Sequence, residues 1–508
     1  MQILTSRIRP VRRSICLLAV YVGLLPIHEG FADDWRTSLV LTGAVTVTDN
    51  ANLAQAGSEE SDAIFQVSPG IRLSRHGGRA SLDLAYTPQL FVYGSNSDLN
   101  QIQNSLDARA FIEAVDDRFF IDGAAQIQQN FLTPFGPTPV FEGSATDNRV
   151  ESRRLTVNPY LQGKLAGGTY LLRNDNVWTG SDNSGVSDVF TNALLAKFDG
   201  PTQARIQLGG EYNYKYTKFS SNDQFREQLA RARATYGLTY DLRVFATGGY
   251  EKNNYTISGN SGPIYGGGFD WTPTPRTSIS VSAEKRYFGS SYQAALTHRT
   301  RMTYWHLRGS RDISTYADLI SLPAGSLTAY LDPLFATRFP DSFDRSTAIN
   351  QYLLQYGLPS QLSSPLAFYT NRIFLQDRVE AGTAITGARH TLSFLVFWRK
   401  SRPLTSTGQP ASTDPFFLSD EVVQKGGAVT FGMKLSELSG LALTYDKSKS
   451  SGTPSGLQTT QSTLRLNYDR RLGPKTYGSL GLRYVVFDSN LASNYREKAV
   501  TASMAHNF

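Results

Sequence analysis

From Thr37 to Phe508 the chain repeats one device, an alternation of side-chain character with a period of two. Between Gln203 and Lys218, Ile206, Leu208, Gly210, Tyr212, Tyr214 and Tyr216 share one parity, while Arg205, Gln207, Gly209, Glu211, Asn213 and Lys215 share the other. In a strand, successive side chains point to opposite faces, so this pattern predicts one apolar face and one wet face. The wet face is excluded from lipid, because a charge at the bilayer midplane costs about 2–4 kcal/mol. Arg79–Tyr93 repeats the arrangement, with Leu82, Leu84, Tyr86, Pro88, Leu90 and Val92 opposed to Ser81, Asp83, Ala85, Thr87, Gln89 and Phe91. The same alternation marks Gln103–Val115, Phe119–Asn130, Leu229–Tyr240, Thr277–Arg286, Ser462–Arg470 and Ser479–Val486.

Two architectures carry such strands: a large soluble β-sandwich or β-helix array, and a transmembrane barrel. Length and composition favour the barrel. A soluble chain of 508 residues should show helical periods and long apolar runs for two or more cores, and neither is present after residue 32. The alternating runs exceed the usual five or six residues of a soluble strand, and tyrosines gather near their ends, as an interfacial girdle requires. Gly (43), Tyr (26) and Phe (28) are abundant, and mean hydropathy is negative. A barrel with a polar lumen has this profile, because its two faces average out. At roughly ten residues per crossing, the chain accommodates about 18–22 antiparallel strands. The last segment ends on an aromatic: Val500, Ala502, Met504, His506 and Phe508 share one face. That tail resembles the signal by which outer-membrane barrels are handed to their assembly machinery, with His506 where another aromatic is commonest.

The first 32 residues read as a secretion leader. Arg7, Arg9, Arg12 and Arg13 precede an apolar run, Ile15–Leu25, that is shorter than the ~20 residues of a membrane helix. Gly30-Phe31-Ala32 offers a cleavage site before Asp33. Cys16, the one cysteine, sits at the very start of the apolar run and departs with the leader, which excludes disulfides, thiol catalysis and cysteine metal sites from residues 33–508. Tight connections at His76-Gly77-Gly78, Asp116-Asp117-Arg118, Ala166-Gly167-Gly168, Asp199-Gly200-Pro201 and Leu472-Gly473-Pro474 alternate with longer polar ones. The longer set is Gly94–Asn100, Thr133–Asn148, Gly180–Ser187, Asn253–Gly262 and Pro403–Ser419. Barrels of this class keep the short turns on the periplasmic side and the long loops outside.

One segment, Ile313–Pro365, interrupts the alternation and is punctuated by Pro323, Pro333, Pro340, Pro359 and Pro365. Within it Ser346–Tyr356 predicts a short helix, capped by Ser346, with Ile349, Leu353 and Tyr356 on one face and Gly357 as its stop. A strandless stretch of this length is usually functional. It reads either as a plug in the lumen or as a folded loop or periplasmic helical hairpin. Counting turns inward from both ends makes its flanking strands run the same way, so it is expected to cross the membrane once or to hide a strand near Ser326–Phe339.

Further motifs occur in a recognisable order. They are Val47-Thr48-Asp49-Asn50-Ala51-Asn52-Leu53, Gln66-Val67-Ser68-Pro69-Gly70-Ile71, Leu84-Ala85-Tyr86 and Tyr93, then Thr297-His298-Arg299-Thr300-Arg301, Tyr356-Gly357-Leu358-Pro359 and Ala384-Ile385-Thr386-Gly387-Ala388-Arg389-His390. The chain thereby resembles the PEP-CTERM (exosortase) system-associated outer-membrane β-barrel family over nearly all of residues 33–508. The resemblance implies a Gram-negative envelope protein associated with exopolysaccharide production and the sorting of surface proteins. It brings no established activity and no catalytic residues.

Chemistry of other kinds is sparse. His76, His298, His306, His390 and His506 read as surface or turn residues. His298 and His306, taken as sharing a strand face, stand eight residues apart, over about 20 Å at the strand rise and too far for a common metal. Tyr265-Gly266-Gly267-Gly268 lies on a strand and precedes no helix, which argues against a phosphate loop. Ser181–Asp188 reads as a solvated outer loop before a weak calcium site. No cofactor is implied. The polar faces place Arg205, Lys215, Arg231, Arg233, Arg286, Arg299 and Arg301 around the central lumen, against Glu211 and Glu284. Asp83, Asp107, Glu113 and Asp122 with Arg109 line earlier strands, and Arg465 and Arg483 line late ones. Cationic rings favour anionic solutes in a pore, whereas arginines paired with neighbouring carboxylates would only stiffen the wall. The leading expectation is a pore or export channel for an anionic polysaccharide, narrowed by Ile313–Pro365. Its partners would be outer-membrane lipid and lipopolysaccharide, the barrel assembly machinery and a periplasmic polysaccharide-export protein, with no nucleic acid. The alternatives are a non-conducting barrel that anchors surface polymer or proteins and, behind it, a barrel enzyme acting on lipid or glycan.

Overall fold

The computed structural model describes residues 35–508 except 184, 202–203, 222, 256–259, 321–326, 341, 357, 360–361, 363–365, 406–413 and 418. The expected leader with Cys16 and its expected cleavage site, and Pro323, Gly357 and Pro365 of the strandless segment, lie outside the described residues. The strands are β1 (Arg36–Thr48), β2 (Asp62–His76), β3 (Ala80–Tyr93), β4 (Gln101–Val115), β5 (Phe119–Phe131), β6 (Arg149–Leu165), β7 (Gly168–Ser181), β8 (Val189–Asp199), β9 (Ile206–Phe219), β10 (Gln224–Gly237) and β11 (Leu242–Asn253). They continue as β12 (Asn260–Thr274), β13 (Thr277–Arg286), β14 (Gly289–Arg299), β15 (Thr303–Ser314), β16 (Phe374–Thr386), β17 (His390–Pro403), β18 (Ser419–Lys434), β19 (Ser439–Pro454), β20 (Gln458–Arg471), β21 (Thr476–Ser489) and β22 (Tyr495–Asn507). Three helices, α1 (Tyr316–Ile320), α2 (Leu327–Phe335) and α3 (Ser342–Tyr356), lie between β15 and β16.

All 22 strands belong to one antiparallel sheet, each paired with its sequence neighbours. The sheet closes where β1 meets β22, from Val40 opposite Asn507 to Thr48 opposite Ala499. Closure leaves no free edge, the condition for a sheet to cross a bilayer. Large apolar side chains stay exposed on the outward parity, among them Leu39, Leu41, Val45 and Val47 on β1 and Phe394 and Val396 on β17. On the final strand Val500 is 52%, Met504 56% and Phe508 65% exposed. His506 accepts or donates a hydrogen bond at Thr476 Oγ1, 2.9 Å away, and meets Phe508 edge to face. The terminal strand therefore turns the expected face outward and closes the barrel.

The start of β1 and the end of β22 lie at the same end of the barrel, and every connection between strands there is six residues or fewer. At the tightest, Ala166 and Gly167 both adopt positive φ (51° and 76°), which suits a two-residue hairpin. The opposite end carries the long connections, including 49–61, 132–148, 315–373 and 404–418.

Three expectations are corrected here. Residues 315–373 do not cross the membrane once, because β15 pairs directly and antiparallel with β16, from Ser314 opposite Phe374 to Thr303 opposite Ile385. The segment leaves and re-enters the wall at the long-loop end. Nor is a strand hidden in Ser326–Phe339, where α2 carries Leu327, Tyr330 and Leu331 to the interior on one helical face. The parity count failed because the even number of strands only becomes legible once the two strands beside the segment are seen to face each other. The following helix begins at Ser342, a turn earlier than Ser346, so Ser346 lies within it instead of capping it.

Candidate functional site

The barrel interior is the place where this chain concentrates charge. Strand register fixes which residues share the inner face, since directly paired residues point the same way. Arg231 on β10 is opposite Gly249 on β11, and two residues along β11 Thr247 is opposite Gly266 on β12, itself opposite Glu284 on β13, all turned inward. Arg231 spans this gap, donating from Nη1 to both oxygens of Glu284 at 2.7 Å and from Nε to Glu211 Oε1 at 3.1 Å. Thr247 donates to the same Glu284 at 3.0 Å. The glycine run of β12 now has a physical reason. A Cβ on Gly266 would sit 2.9 Å from Glu284 Cγ, so the missing side chain leaves the space the bridge occupies.

Arg286, 8% exposed, is a second node near the long-loop end. It contacts Glu251 at 2.6 Å, Asp312 at 2.8 Å and Glu227 at 3.3 Å. Arg233 meets Asp270 at 2.9 Å and lies over the Phe245 ring, 3.5 Å from its centroid. Together with Asp199, Gln207, Gly209, Thr235 and Arg243 these two line a polar cleft on the inner wall. Elsewhere Arg465 pairs with Asp446 at 3.0 Å and Arg483 with Glu497 at 2.7 Å. Asp122 pairs with Arg173 at 3.1 Å, Asp107 with Arg109 at 3.5 Å, and Asp83 with His76 at 3.3 Å. The wall is thus a set of cross-strand ion pairs more than a cationic ring. Two expected members leave the wall altogether. Arg301 lies in the exposed turn between β14 and β15, and Arg205 precedes β9 and covers the ring of Tyr236 at 5.2 Å. His298 and His306 sit on different strands and opposite faces: His298 is opposite Trp305, which points outward, and His306 is buried inside.

The described residues between β15 and β16 touch the inner wall near both ends of the barrel. At the long-loop end Tyr316 hydrogen-bonds Ser152 (3.1 Å) and stacks on Tyr369 (3.9 Å between centroids). Arg154 donates to Ala317 O at 2.9 Å, and Lys215 meets Asp318 at 3.2 Å. Burial pushes the Asp318 carboxyl up, but Lys215 and the Thr315 hydroxyl and N–H outweigh it and hold the group below the ordinary carboxylate value. Midway down, Tyr330 stacks on His306 at 4.5 Å, and its hydroxyl donates to Glu380 at 3.0 Å, while Arg299 donates to Pro333 O at 2.8 Å. At the short-turn end the last turn of α3 reaches the wall. Tyr356 donates to Ala388 O at 3.2 Å and Gln355 to Glu437 O at 3.3 Å. Gly432 and Gly440 make room: a Cβ on Gly440 would stand 2.7 Å from Tyr356 Cα. Leu366 O accepts from Arg399, and Phe368 packs with Phe135, Leu319, Phe374, Phe416 and Val422. That cluster joins three long loops over the mouth. Loop 132–148 also reaches the far wall, where Thr138 donates to Gln461 at 2.6 Å.

The sequence reading missed Arg378 and Arg399. They stand opposite each other on β16 and β17, with Gln424 beside Arg399 on β18. Arg399 is 2% exposed, and among the described residues it makes one long hydrogen bond, to Leu366 O at 3.4 Å, with Nε unpartnered. Glu380, the next inward residue after Arg378, is taken by Tyr330 and by His306 at 3.2 Å. The only signal for this pair was the spacing of Arg399 in Phe397–Ser401, and it was obscured by Leu395 and Phe397, which face inward and are apolar because residues 315–373 cover them.

No protein-family model matches the chain, and no curated protein does. Among solved structures the chain is similar to the siderophore receptor PirA from Pseudomonas aeruginosa, at 10% identity over 93% of this chain and 80% of that one, with a TM-score of 0.44. It is similar to the FrpB iron transporter from Neisseria meningitidis, at 10% identity over 94% of this chain and 83% of that one, TM-score 0.49. It is also similar to the outer membrane protein OpdK from Pseudomonas aeruginosa, at 9% identity over 94% and 100%, TM-score 0.34.

Proposed function

We propose that this chain is a channel of the Gram-negative outer membrane, held closed at rest by residues 315–373 and admitting anionic solutes when that segment moves. The observation that carries the reading is the path of the segment, which hangs from the long-loop end and touches the wall at Ala388 and Glu437 beside the short turns. A barrel of this strand number leaves a lumen unless something fills it. The inward Arg378 and Arg399, without carboxylate partners of their own, supply the preference for anions. Within this reading the narrower function is export of an acidic exopolysaccharide in a PEP-CTERM setting, with a periplasmic export protein docked at the short-turn end. The sequence resemblance supports that narrower step.

Replacing residues 316–372 by a short turn tests the channel. Conductance across planar bilayers should rise sharply, and unchanged conductance from a folded barrel would remove the segment from the gate. A second reading, a sealed barrel that anchors surface polymer, draws on the pairing of Arg231, Arg286, Arg465 and Arg483 with wall carboxylates. It requires that the shortened barrel stay silent while intact cells still bind the polymer.

A further inference from the structure

On β18 and β19 the outer surface gathers lysines at the edge of an apolar belt. On β18 and β19 the outward parity runs Met433, Phe431, Val429 and Leu441, Leu443, Tyr445 from the short-turn end, and then meets Lys425, Lys447 and Lys449. Lys425 is directly opposite Lys449, and Lys447 is its diagonal neighbour, paired with Gly427. Like charges directly opposite one another are destabilising, with Cβ atoms only about 4.5–5.5 Å apart. None of the three makes an ion pair among the described residues: on the same two strands Asp446 faces inward and is held by Arg465 at 3.0 Å, and Glu421, on the outward parity of β18, is taken by Lys400 of β17 at 2.6 Å. The sheet continues past the lysines with Ser451 and Thr453, so they do not mark a frayed strand end. They mark the level at which the apolar face stops.

A solvated surface would explain scattered lysines, but not three cations gathered at the upper edge of an apolar belt with the one outward acid of β18 and β19 nearby, Glu421, already engaged by Lys400. Trp398 on β17 is directly opposite Lys425, and Tyr445 lies one outward step below Lys447, which is the aromatic placement of a membrane interface. The end in question is that of the long loops, the extracellular side of such barrels. The structure points to an occupant of matching chemistry: we infer that Lys425, Lys447 and Lys449 clamp the phosphate groups of a phosphorylated glycolipid in the outer leaflet, its acyl chains lying against Val429, Phe431, Leu443 and Tyr445. The inference rests on the outer-membrane reading, and it concerns the outside of the barrel, independent of conduction.

Full-length protein in phosphatidylcholine nanodiscs containing diphosphoryl lipid A, dephosphorylated lipid A or neither would test it, by counting retained lipid in native mass spectrometry. Wild type should retain diphosphoryl lipid A at least tenfold over the dephosphorylated form, and Lys425→Gln/Lys447→Gln/Lys449→Gln should lose that preference. A control, Lys218→Gln/Lys252→Gln on the far wall, should keep it. Equal retention of both lipids, or an unchanged triple variant, would overturn the clamp. Displacement by a soluble acidic polysaccharide at lower concentration than by inorganic phosphate would also overturn it, by assigning the lysines to a polymer instead of a lipid. If the chain fails to enter nanodiscs at all, the membrane reading falls; if it enters and holds no lipid A, only the clamp falls.

Discussion

Arg378 and Arg399 face each other across β16 and β17 on the inside of the barrel, two guanidiniums paired in register with no acid of their own. A buried charge without a partner costs several kcal/mol, whereas breaking a satisfied pair leaves a new orphan behind. The closed interior therefore contains both kinds of arginine. They should respond to mutation with opposite signs.

Arg399→Met removes an unpaired cation from beneath Leu366 and should stabilise the protein by about 1 kcal/mol or more, on the cost of like charges directly opposed. Arg231→Met strands Glu211 and Glu284 and should destabilise it by about 2–3 kcal/mol, less than a fully buried pair because Arg231 retains some exposure. Urea unfolding in detergent would check both. In bilayers, Arg399→Met should also shift the reversal potential of the open channel toward cations.

Gly440 faces the last turn of α3 with no space for a side chain. Gly440→Val should therefore push Tyr356 off the wall while leaving the strand itself intact, since valine suits a sheet. Single-channel recordings should show more frequent openings than wild type, and the heat-modified gel band of the folded barrel should persist.

Acid should open the channel through Asp318. Its folded value lies below that of the free carboxylate, so the link to Lys215 is fully present above about pH 4 and is lost as pH falls through that depressed value. Conductance should rise only at the acid end of the titration. Asp318→Asn should be open more often at neutral pH and lose the acid step, whereas a step that survives in this variant would assign the response to another group.

How much of this was legible in the sequence depends on what each strand faces. Where a strand has lipid on one side and water on the other, as β3 and β9 do, the alternation named both faces correctly, and with them Arg231, Glu211 and Glu284. On β16 and β17 the inner face packs against residues 315–373, so Leu395 and Phe397 are as apolar as Phe394 and Val396, and the period disappears. That loss hid Arg378 and Arg399 and made the strand count uncertain. Cross-strand partners were illegible for a different reason. The reach of Arg231 over Gly266 to Glu284 depends on a register between strands far apart in sequence, and no local pattern encodes it. The outer lysines escaped notice because Lys447 and Lys449 share a strand with small polar residues that look like a loop.

On the proposed reading, α3 reaches through the lumen to the short-turn end. Cys16 is the only cysteine of the sequence, so in a Cys16→Ser background an introduced pair reports without interference. Gln355→Cys and Glu437→Cys should be joined by a short reducible crosslinker in intact membranes, because Gln355 hydrogen-bonds the Glu437 carbonyl. The crosslinked barrel should be silent in bilayers and should begin to conduct when the link is reduced. Absence of the crosslink in a correctly inserted barrel, or equal conductance with the link present and reduced, would contradict the account.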